Sequence, residues 1–238
     1  MADPAFVLGN WNNGAGSSTT ITYASSNTLT SGRCLVFAAR WNGAAITATV
    51  ADTFSNTYGS PVVIGTDNAG AFRLAVWVVA NITGGANYHP TVTFSSATAG
   101  RVLAYHEVSG CATSDVVDAS AIQPLTAPGT GANALTSGTD TTTVNNTYIF
   151  GVLAETGPVI TNADEVAGTS FTGRLPPNTS PYDPVIATED RVLASAGAVA
   201  ATWTHSGAAA GEWLIAMVAL KPLLPAQARR TMYLRRRR

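Results

Sequence analysis

Alternation of apolar and polar side chains with a period of two is the feature of this sequence that most restricts its fold. Residues 72–78 place four apolar side chains on one side and a mixed set on the other, because successive side chains of a strand point to opposite faces. A break rich in glycine and asparagine follows at residues 81–87, and Val92 and Phe94 then resume the alternation as inward residues. This pattern predicts a β-hairpin with a long loop over residues 71–95.

Similar segments recur along the chain, with glycine, asparagine and proline between them. They lie at residues 5–8, 19–24, 33–41, 45–50, 61–65, 101–108, 147–154, 190–195, 199–204 and 212–220. Gly197 predicts a second hairpin that joins residues 190–195 to residues 199–204. Residues 109–144 are typical of loop with short edge strands. The four prolines in residues 173–184 predict an irregular excursion, because proline cannot donate to a sheet ladder.

Helical periodicity is absent from the sequence, apart from a short possible turn near residues 226–230. Many short strands with frequent turn signals predict an all-β chain, an antiparallel β-sandwich with jelly-roll-like topology. We expect a single β-sandwich domain over residues 1–221 and an extended C-terminal arm over residues 222–238.

Charge is scarce and unevenly distributed. Charged residues make up 11% of the chain, against about 25% in an ordinary soluble domain, which is typical of secreted proteins and of proteins built into assemblies. All 14 acidic residues lie in residues 1–221 with seven basic ones, whereas residues 222–238 hold six arginines and no acid. Segregation of this kind indicates a partner for the basic segment.

The two cysteines, Cys34 and Cys111, allow one disulfide at most. Cys34 alternates with Val36 and Ala38, which predicts a buried thiol in a strand. We expect both thiols to be free, although the sequence leaves their pairing open. The N-terminal residues show no signal-peptide pattern, and no apolar stretch approaches the roughly 18 residues of a membrane span. These observations predict synthesis in the cytoplasm and no membrane partner.

Four segments resemble a known family. These are TVADTFSNTY at residues 49–58, WVVANITGGANYHPTVTFS at 77–95, LAYHEVSGCATSDVVDAS at 103–120 and EWLIAMVALKP at 212–222. They are similar to motifs of a β-sandwich domain found in structural proteins of tailed phages and in some bacterial secreted proteins.

The resemblance covers roughly residues 30–222. Ser55 stands where the family usually has glycine, and Val108 where tyrosine is common. The shared motifs are structural rather than catalytic, so the resemblance implies a fold and a place in a virion but no activity.

No catalytic or cofactor site is predicted. The three histidines, His89, His106 and His205, do not fall at metal-ligand spacing, and a lone histidine on an apolar face is typical of a hydrogen-bonded core residue. His106 and Glu107 point to opposite faces of one strand, so they cannot act on one atom. The adjacent acids Asp164–Glu165 and Glu189–Asp190 are interpreted as solvated turn residues. The chain has no nucleophile elbow and no phosphate loop.

A carbohydrate-binding site is an alternative that the sequence leaves open. Trp11 and Trp41, with Tyr58, Tyr88 and Tyr182, lie in or beside predicted loops and could stack on sugars. Loop oxygens for a calcium ion could come from Asp52, Asn56, Asp67 and Asn68. The competing interpretation is that the aromatic rings cover sheet ends and that the Asp and Asn side chains shape turns.

The C-terminal arm carries the clearest functional signal. Pro222 and Pro225 prevent continuation of the last strand, and apolar residues alternate with arginines beyond them. Docking on a protein, nucleic-acid binding and disorder are all compatible with a basic segment. Docking explains the apolar residues best, since they can fill pockets while arginines pair with carboxylates. The predicted partner-binding residues are Leu223, Leu224, Arg229, Arg230, Met232, Tyr233, Leu234, Arg235, Arg236, Arg237 and Arg238.

Together these observations predict a non-enzymatic virion structural protein. A capsid decoration or cement role is favoured, with a head-fibre or tail-associated role next. The expected partners are the major capsid protein or another virion protein and further copies of the chain, for which a trimer is the guess. A host-surface glycan through Trp11 and Trp41 is the alternative. No cofactor or metal is expected, and nucleic acid is the less favoured partner of the arm.

Overall fold

A computed structural model describes residues 3–24, 26–126, 129–130, 133–155, 165–174, 186–205, 208–209 and 211–224. Within these ranges the regular structure is entirely β, and the sheets are antiparallel. The all-β, sandwich-like fold class predicted from the sequence is therefore confirmed. Among the described residues there is no helical segment of the length and hydropathy that a membrane span needs.

The first half of the chain forms eight strands. They are β1 Ala5–Gly14, β2 Ser18–Thr22, β3 Cys34–Asn42, β4 Ala48–Ala51, β5 Val63–Thr66, β6 Phe72–Val79, β7 Thr91–Thr98 and β8 Arg101–Ser109. Five of them form one sheet in the order β1-β8-β3-β6-β5, which we call the N-inner sheet. The other three form the N-outer sheet in the order β2-β7-β4.

The second half supplies the remaining described strands. They are β9 Val117–Thr126, β10 Gly129–Thr130, β11 Asn133–Thr136, β12 Asp140–Thr141, β13 Thr147–Glu155, β14 Glu165–Ala167, β15 Thr172–Gly173, β16 Ile186–Leu193, β17 Ala198–Val199, β18 Thr202–His205, β19 Ala208–Ala209 and β20 Glu212–Leu220. The C-inner sheet has the order β15-β16-β13-β20-β9, and the C-outer sheet has the order β11-β18-β14. There are also two short ladders, β10-β19 and β12-β17. Their strands immediately precede or follow β11 and β18 along the chain.

The two halves have the same topology. If β9, β11, β13, β14, β15, β16, β18 and β20 are counted as first to eighth, the C-inner sheet reads 5-6-3-8-1 and the C-outer sheet reads 2-7-4. These are the orders of the N-inner and N-outer sheets. In a jelly roll, one sheet has the strand order 1-8-3-6 and the facing sheet contains the order 2-7-4. Both halves of this chain have that arrangement, except that the fifth strand pairs with the sixth on the inner sheet. The predicted topology therefore occurs twice, whereas the sequence predicts one sandwich.

Three apolar layers hold four sheets together. The central layer lies between the two inner sheets and includes Val36 and Leu74 from one side and Phe150 and Ala216 from the other. A second layer joins the N-inner sheet to the N-outer sheet, and a third joins the C-inner sheet to the β11–β18 region. Strands β3, β8, β13 and β20 are consequently buried on both faces, which explains why they read as nearly continuous apolar runs.

Both predicted hairpins are wrong. Strand β6 pairs with β3 and β5 in the N-inner sheet, while β7 pairs with β2 and β4 in the N-outer sheet. In the same way β16 belongs to the C-inner sheet and β18 to the C-outer sheet. In each half the loop after the sixth strand crosses from one sheet to the other. A turn signal shows that the chain changes direction but not which strand becomes the neighbour.

Two predicted loops contain strands. Strand β1 continues to Gly14 through asparagine-rich residues, because the ladder with β8 supplies hydrogen-bond partners, with a bulge between Phe6 and Leu8. Strand β9 has ten residues and pairs with β20 along the edge of the C-inner sheet, so residues 109–144 hold more than short edge strands. Most of the proline-rich segment 173–184 lies outside the described residues, as does the arm beyond Leu224.

Candidate functional site

The arm leaves the body through a short backbone clasp between the two sandwiches. Strand β8 ends at Ser109 and the chain turns at Gly110, whose φ of 71° lies in the left-handed region that glycine adopts readily. Cys111 then forms an isolated antiparallel bridge with Pro222. We call residues 110–116 and 221–223 the arm clasp.

Three main-chain hydrogen bonds close the arm clasp. The Ala112 N–H donates to the Lys221 carbonyl at 2.9 Å, and the Lys221 N–H donates to the Val116 carbonyl at 2.7 Å. The Leu223 N–H donates to the Gly110 carbonyl at 2.7 Å. Lys221 also pairs with the exposed Asp115 at 3.1 Å. The chain is therefore held in a defined position up to Leu223.

Of the predicted partner-binding residues, Leu223 and Leu224 lie in the described part of the chain. Leu223 is half-buried against the clasp, and Leu224 is 40% exposed. The other nine, Arg229, Arg230, Met232, Tyr233, Leu234 and Arg235–Arg238, lie outside the described residues. The prediction of an arm that docks on a partner stays a prediction, and the structure adds the place from which the arm starts.

The two tryptophans proposed for glycan stacking are not alike. Trp41 is fully buried in β3, and its indole N–H donates to the Ile46 carbonyl at 2.9 Å. Its ring therefore has no face open to a sugar, so the prediction that Trp41 stacks on a glycan is wrong, although the residue does lie beside a loop. Trp11 lies in the edge strand β1, half-buried against the central apolar layer. Of the pair, Trp11 alone retains exposed ring surface.

The tyrosines nearby belong to the packing between the N-inner and N-outer sheets. Tyr58 and Tyr88 are buried, and their hydroxyl oxygens lie 2.6 Å apart. Burial raises the pKa of both phenols well above the ordinary value. Tyr182 lies outside the described residues. The Tyr58 and Tyr88 rings therefore belong to the core of the N-terminal sandwich, which agrees with the competing interpretation that the aromatic residues pack against the sheets.

The candidate calcium ligands are engaged in turns. Asp52 Oδ1 accepts from the Phe54 and Asn56 N–H groups at 2.8 and 3.1 Å, and Asp52 Oδ2 accepts from Asn56 Nδ2 and from the Tyr58 hydroxyl. Asn56 Oδ1 accepts from the Thr83 N–H at 2.8 Å, and Asn56 Nδ2 also donates to the Thr83 carbonyl. Because these oxygens already accept hydrogen bonds from the protein, they form a fastening between two loops.

The second pair of candidate ligands is also used within the fold. Asp67 is buried and accepts from the Phe72 N–H at 2.7 Å, and Asn68 follows it in the turn before β6. In the described ranges no group of three or more His, Cys, Asp or Glu side chains is placed to hold a metal ion.

The histidines occupy three different environments. His106 is fully buried; its Nδ1 lies 3.0 Å from the Tyr148 hydroxyl and its Nε2 lies 2.8 Å from Thr188 Oγ1. Burial, with a smaller contribution from the Arg174 cation, lowers the pKa of His106 to about 3. Its neighbour Glu107 points to the other face and accepts from the Thr30 N–H at 2.7 Å. The predicted opposition of His106 and Glu107 is confirmed.

His205 departs from the prediction of a hydrogen-bonded core histidine. It is buried beside the Trp213 ring, with a centroid distance of 5.1 Å. Neither of its ring nitrogens has a hydrogen-bond partner in the structure as described. His89, by contrast, is half-buried in the crossing loop before β7.

The predicted turn acids Glu189 and Asp190 are buried in β16, so their interpretation as solvated residues is wrong. Glu189 accepts from the Gly168 N–H at 2.9 Å and from the Thr202 N–H at 3.0 Å. Burial raises the pKa of Glu189 to about 8, against the lowering effect of these two hydrogen bonds. Of the other adjacent pair, Asp164 lies outside the described residues.

One cleft, which sequence reasoning missed, opens where β1 meets β15 and β16. It has a volume of about 340 Å³, and its lining includes Phe6, Arg174, Asp190, Arg191 and Val192. Arg174 forms a bidentate pair with Asp190, and its guanidinium carbon lies 4.3 Å from the Phe6 ring centroid. The Asp190 hydrogen bond raises the pKa of Arg174 above its ordinary value. The charges of Arg174 and Asp190 therefore neutralise each other, while the Arg191 guanidinium carbon lies 4.9 Å from the Phe171 ring centroid.

Comparisons with known proteins return nothing: no family model, no curated protein sequence and no solved structure matches this chain. The function is therefore argued from the residues of this chain.

Proposed function

We propose that the protein is a non-enzymatic structural component of a tailed-phage particle, a decoration or cement protein that docks through its basic C-terminal arm. The observation that carries the proposal is the arm clasp. It holds the chain by its backbone up to Leu223, immediately before a segment with six arginines and no acidic residue. A rigid root positions the arm and lowers the entropy lost when the arm binds.

The structural role of the residues in the family-like motifs supports this proposal. The segments that resemble phage β-sandwich proteins supply Asp52, Asn56, Tyr58 and Tyr88, and all four fasten loops inside the N-terminal sandwich. A body whose motif residues hold its own fold together acts as a scaffold. Its surface, with few charges and many Thr, Ser and Asn side chains, suits a protein that shares its exposed area with neighbours.

The arm requires an acidic partner, and the body supplies few exposed acids. Five of the described acidic residues are buried, namely Asp67, Glu107, Glu155, Glu189 and Asp190. A second copy of this body therefore presents a weak target for the arginines. This favours a different virion protein, such as the major capsid protein, as the surface on which the arm docks. Homo-oligomers, including the expected trimer, would then need contacts other than the arm.

Truncation after Leu224 tests the proposal. This boundary keeps every hydrogen bond of the arm clasp. A boundary at Lys221 would remove the hydrogen bond from the Leu223 N–H to the Gly110 carbonyl, and an effect on folding could then be mistaken for an effect on docking. We expect the shortened chain to melt at the temperature of the full chain and to lose binding to phage heads prepared without the protein. Co-sedimentation at physiological salt measures the binding.

A charge variant distinguishes the contribution of the arginines to binding from that of the apolar residues of the arm. Replacement of Arg229, Arg230 and Arg235–Arg238 by glutamine leaves the apolar residues in place, and we expect it to weaken binding and to remove its salt dependence. Undiminished head binding by both the truncated chain and the glutamine variant would refute the docking proposal. Saturable binding on a glycan array that is lost in Trp11→Ala would instead favour a carbohydrate-binding function.

A further inference from the structure

The fold brings the only two cysteines of the chain together. Cys34 is the first residue of β3, and Cys111 follows the turn after β8. They are 1% and 6% exposed, and both belong to the central apolar layer. They lie 77 residues apart in the sequence, so the fold and not the local chain brings them into one layer.

The local geometry explains the meeting. In the β3–β8 ladder Cys34 lies opposite Val108, and the turn at Gly110 brings Cys111 back beside this end of β3. Both side chains pack in the central apolar layer, where the neighbouring Cys111 thiol raises the pKa of Cys34. The Cys111 thiol also donates to the Ser109 carbonyl oxygen at 3.8 Å. Both cysteines are free in the structure, so these neighbouring thiols are not joined by a disulfide.

We propose that Cys34 and Cys111 are a modification site, a thiol pair that forms a reversible intramolecular disulfide and thereby locks the arm clasp to β3. The clasp is affected because Cys111 forms the bridge to Pro222. With the disulfide in place, the root of the arm is bonded covalently to the start of a central strand of the N-inner sheet. The inference does not depend on which partner the arm binds.

The oxidant is a low-molecular-weight disulfide such as oxidised glutathione. One cysteine thiolate attacks a sulfur of this disulfide, which gives a protein–glutathione mixed disulfide and releases one reduced glutathione. The other cysteine thiolate attacks the protein sulfur of the mixed disulfide, which closes the Cys34–Cys111 bond and releases the second glutathione. The two protein thiols lose two electrons and two protons, and the oxidised glutathione gains them.

Burial controls when this reaction takes place. Glutathione cannot reach thiols that are 1% and 6% exposed unless the region opens locally. The neighbouring Cys111 thiol and burial raise the pKa of Cys34, which lowers its thiolate fraction. The pair therefore stays reduced in a reducing cytoplasm and closes slowly in an oxidising medium.

The test uses the full chain, purified with reductant and then held in buffers of defined reduced and oxidised glutathione. We expect peptide mass spectrometry without reduction to find one crosslink between the Cys34 and Cys111 peptides, in a chain that stays monomeric on a non-reducing gel. The melting temperature should rise, because a disulfide constrains the unfolded chain. Hydrogen exchange of residues 110–116 and 221–224 should slow by tenfold or more, since the clasp can then open less often.

Single variants serve as controls. Cys34→Ala and Cys111→Ala each remove one partner, and each should abolish the oxidant-dependent rise in melting temperature. If one variant does not fold, the other still tests the pair. Thiols that stay free after prolonged oxidation, that retain only glutathione, or that crosslink two chains would overturn the proposal. A crosslink that leaves hydrogen exchange in the clasp unchanged would overturn the locking role.

Discussion

At the scale of single residues, the buried carboxyl groups of two glutamates fasten loops to the inner sheets. Glu107 accepts from the Thr30 N–H beside the N-outer sheet, and Glu189 accepts from the Gly168 and Thr202 N–H groups beside the C-outer sheet. Each buried carboxyl group accepts hydrogen bonds from main-chain N–H groups of these loops, and a hydrogen bond of this kind contributes about 1 kcal/mol to stability. These acids therefore contribute to how the outer layers attach.

Glu189 should make stability depend on pH. Its pKa is about 8 in the folded protein against a reference value of 4.5, so between these values the folded state binds a proton that the unfolded state has released. His106, whose pKa is lowered from 6.5 to about 3, has the opposite effect below pH 6.5. The fall in stability due to Glu189 should therefore appear as the pH rises from about 6.5 to about 8 and level off above it. Glu189→Gln cannot titrate and should flatten the slope. Urea unfolding midpoints measured from pH 5 to pH 9 test this expectation.

Asp115→Asn is a control for the pH experiment, because it removes a carboxylate whose side chain is 91% exposed. It should keep the wild-type slope. Equal slopes in the wild type and in Glu189→Gln would show that Glu189 is ionised in the folded protein throughout this range.

At the scale of elements, the crossing loop between β6 and β7 carries the chain from the N-inner sheet to the N-outer sheet. It runs close to the loop before β3: the Leu29 N–H donates to the Gly85 carbonyl at 3.0 Å, and the Gly84 N–H donates to Ser31 Oγ at 2.9 Å. Asn56 bonds Thr83 from a third loop. The glycines of the segment NITGGA permit this close approach.

Gly84→Ala should destabilise the protein by about 2–3 kcal/mol, a size typical of steric strain that the backbone must relieve. A Cβ atom at this position would collide with the Leu29 carbonyl and lie 2.6 Å from the Ser31 nitrogen. Both contacts are with main chain, which cannot move aside as a flexible side chain could. Chemical denaturation with one set of conditions for wild type and variant measures the change in unfolding free energy.

Gly197→Ala is the matched control. Gly197 lies in the corresponding crossing region of the C-terminal sandwich, and a Cβ atom there meets nothing within 4 Å. We expect its unfolding free energy to stay within about 0.5 kcal/mol of the wild type. A similar loss in both variants would mean that flexibility of the chain, not close packing, is what these glycines provide.

At the scale of the whole molecule, two sandwiches of identical strand order share one apolar layer. The N-inner and C-inner sheets pack face to face through residues such as Val36 and Phe150, so neither sandwich buries its inner face without the other. A repeated topology around a shared core is the arrangement that a duplicated sandwich would produce. The arm clasp lies at the connection between the two copies.

The shared layer should make unfolding a single transition. We expect one calorimetric peak, with calorimetric and van't Hoff enthalpies in agreement. Phe150→Ala should lower stability by about 3–5 kcal/mol and shift the whole peak, because Phe150 lies in the central layer. Val166→Ala, at a position 58% exposed, is the control and should change little. Two peaks, or a shift of half the signal, would mean that the sandwiches unfold separately.

The sequence by itself determined the local structure. Alternation and turn residues were sufficient to predict most strands, the all-β class and the burial of Cys34, Val92 and Phe94, which the structure confirms. These properties depend on a residue and its near neighbours in the chain. The basic arm is likewise a property of the sequence alone, and its docking remains a prediction.

Only the tertiary structure decided the pairing of strands, the number of layers and the contacts between distant residues. Strands β6 and β7 look like a hairpin because alternation carries no information about the partner strand. Glu189 and Asp190 look solvated because a charge pattern does not show that other strands cover them. The proximity of Cys34 and Cys111 in one core layer, the burial of Trp41 and the arm clasp all depend on segments that meet after folding. Long-range pairing is set by the packing of the whole chain, which is why the repeated sandwich was not visible in the sequence.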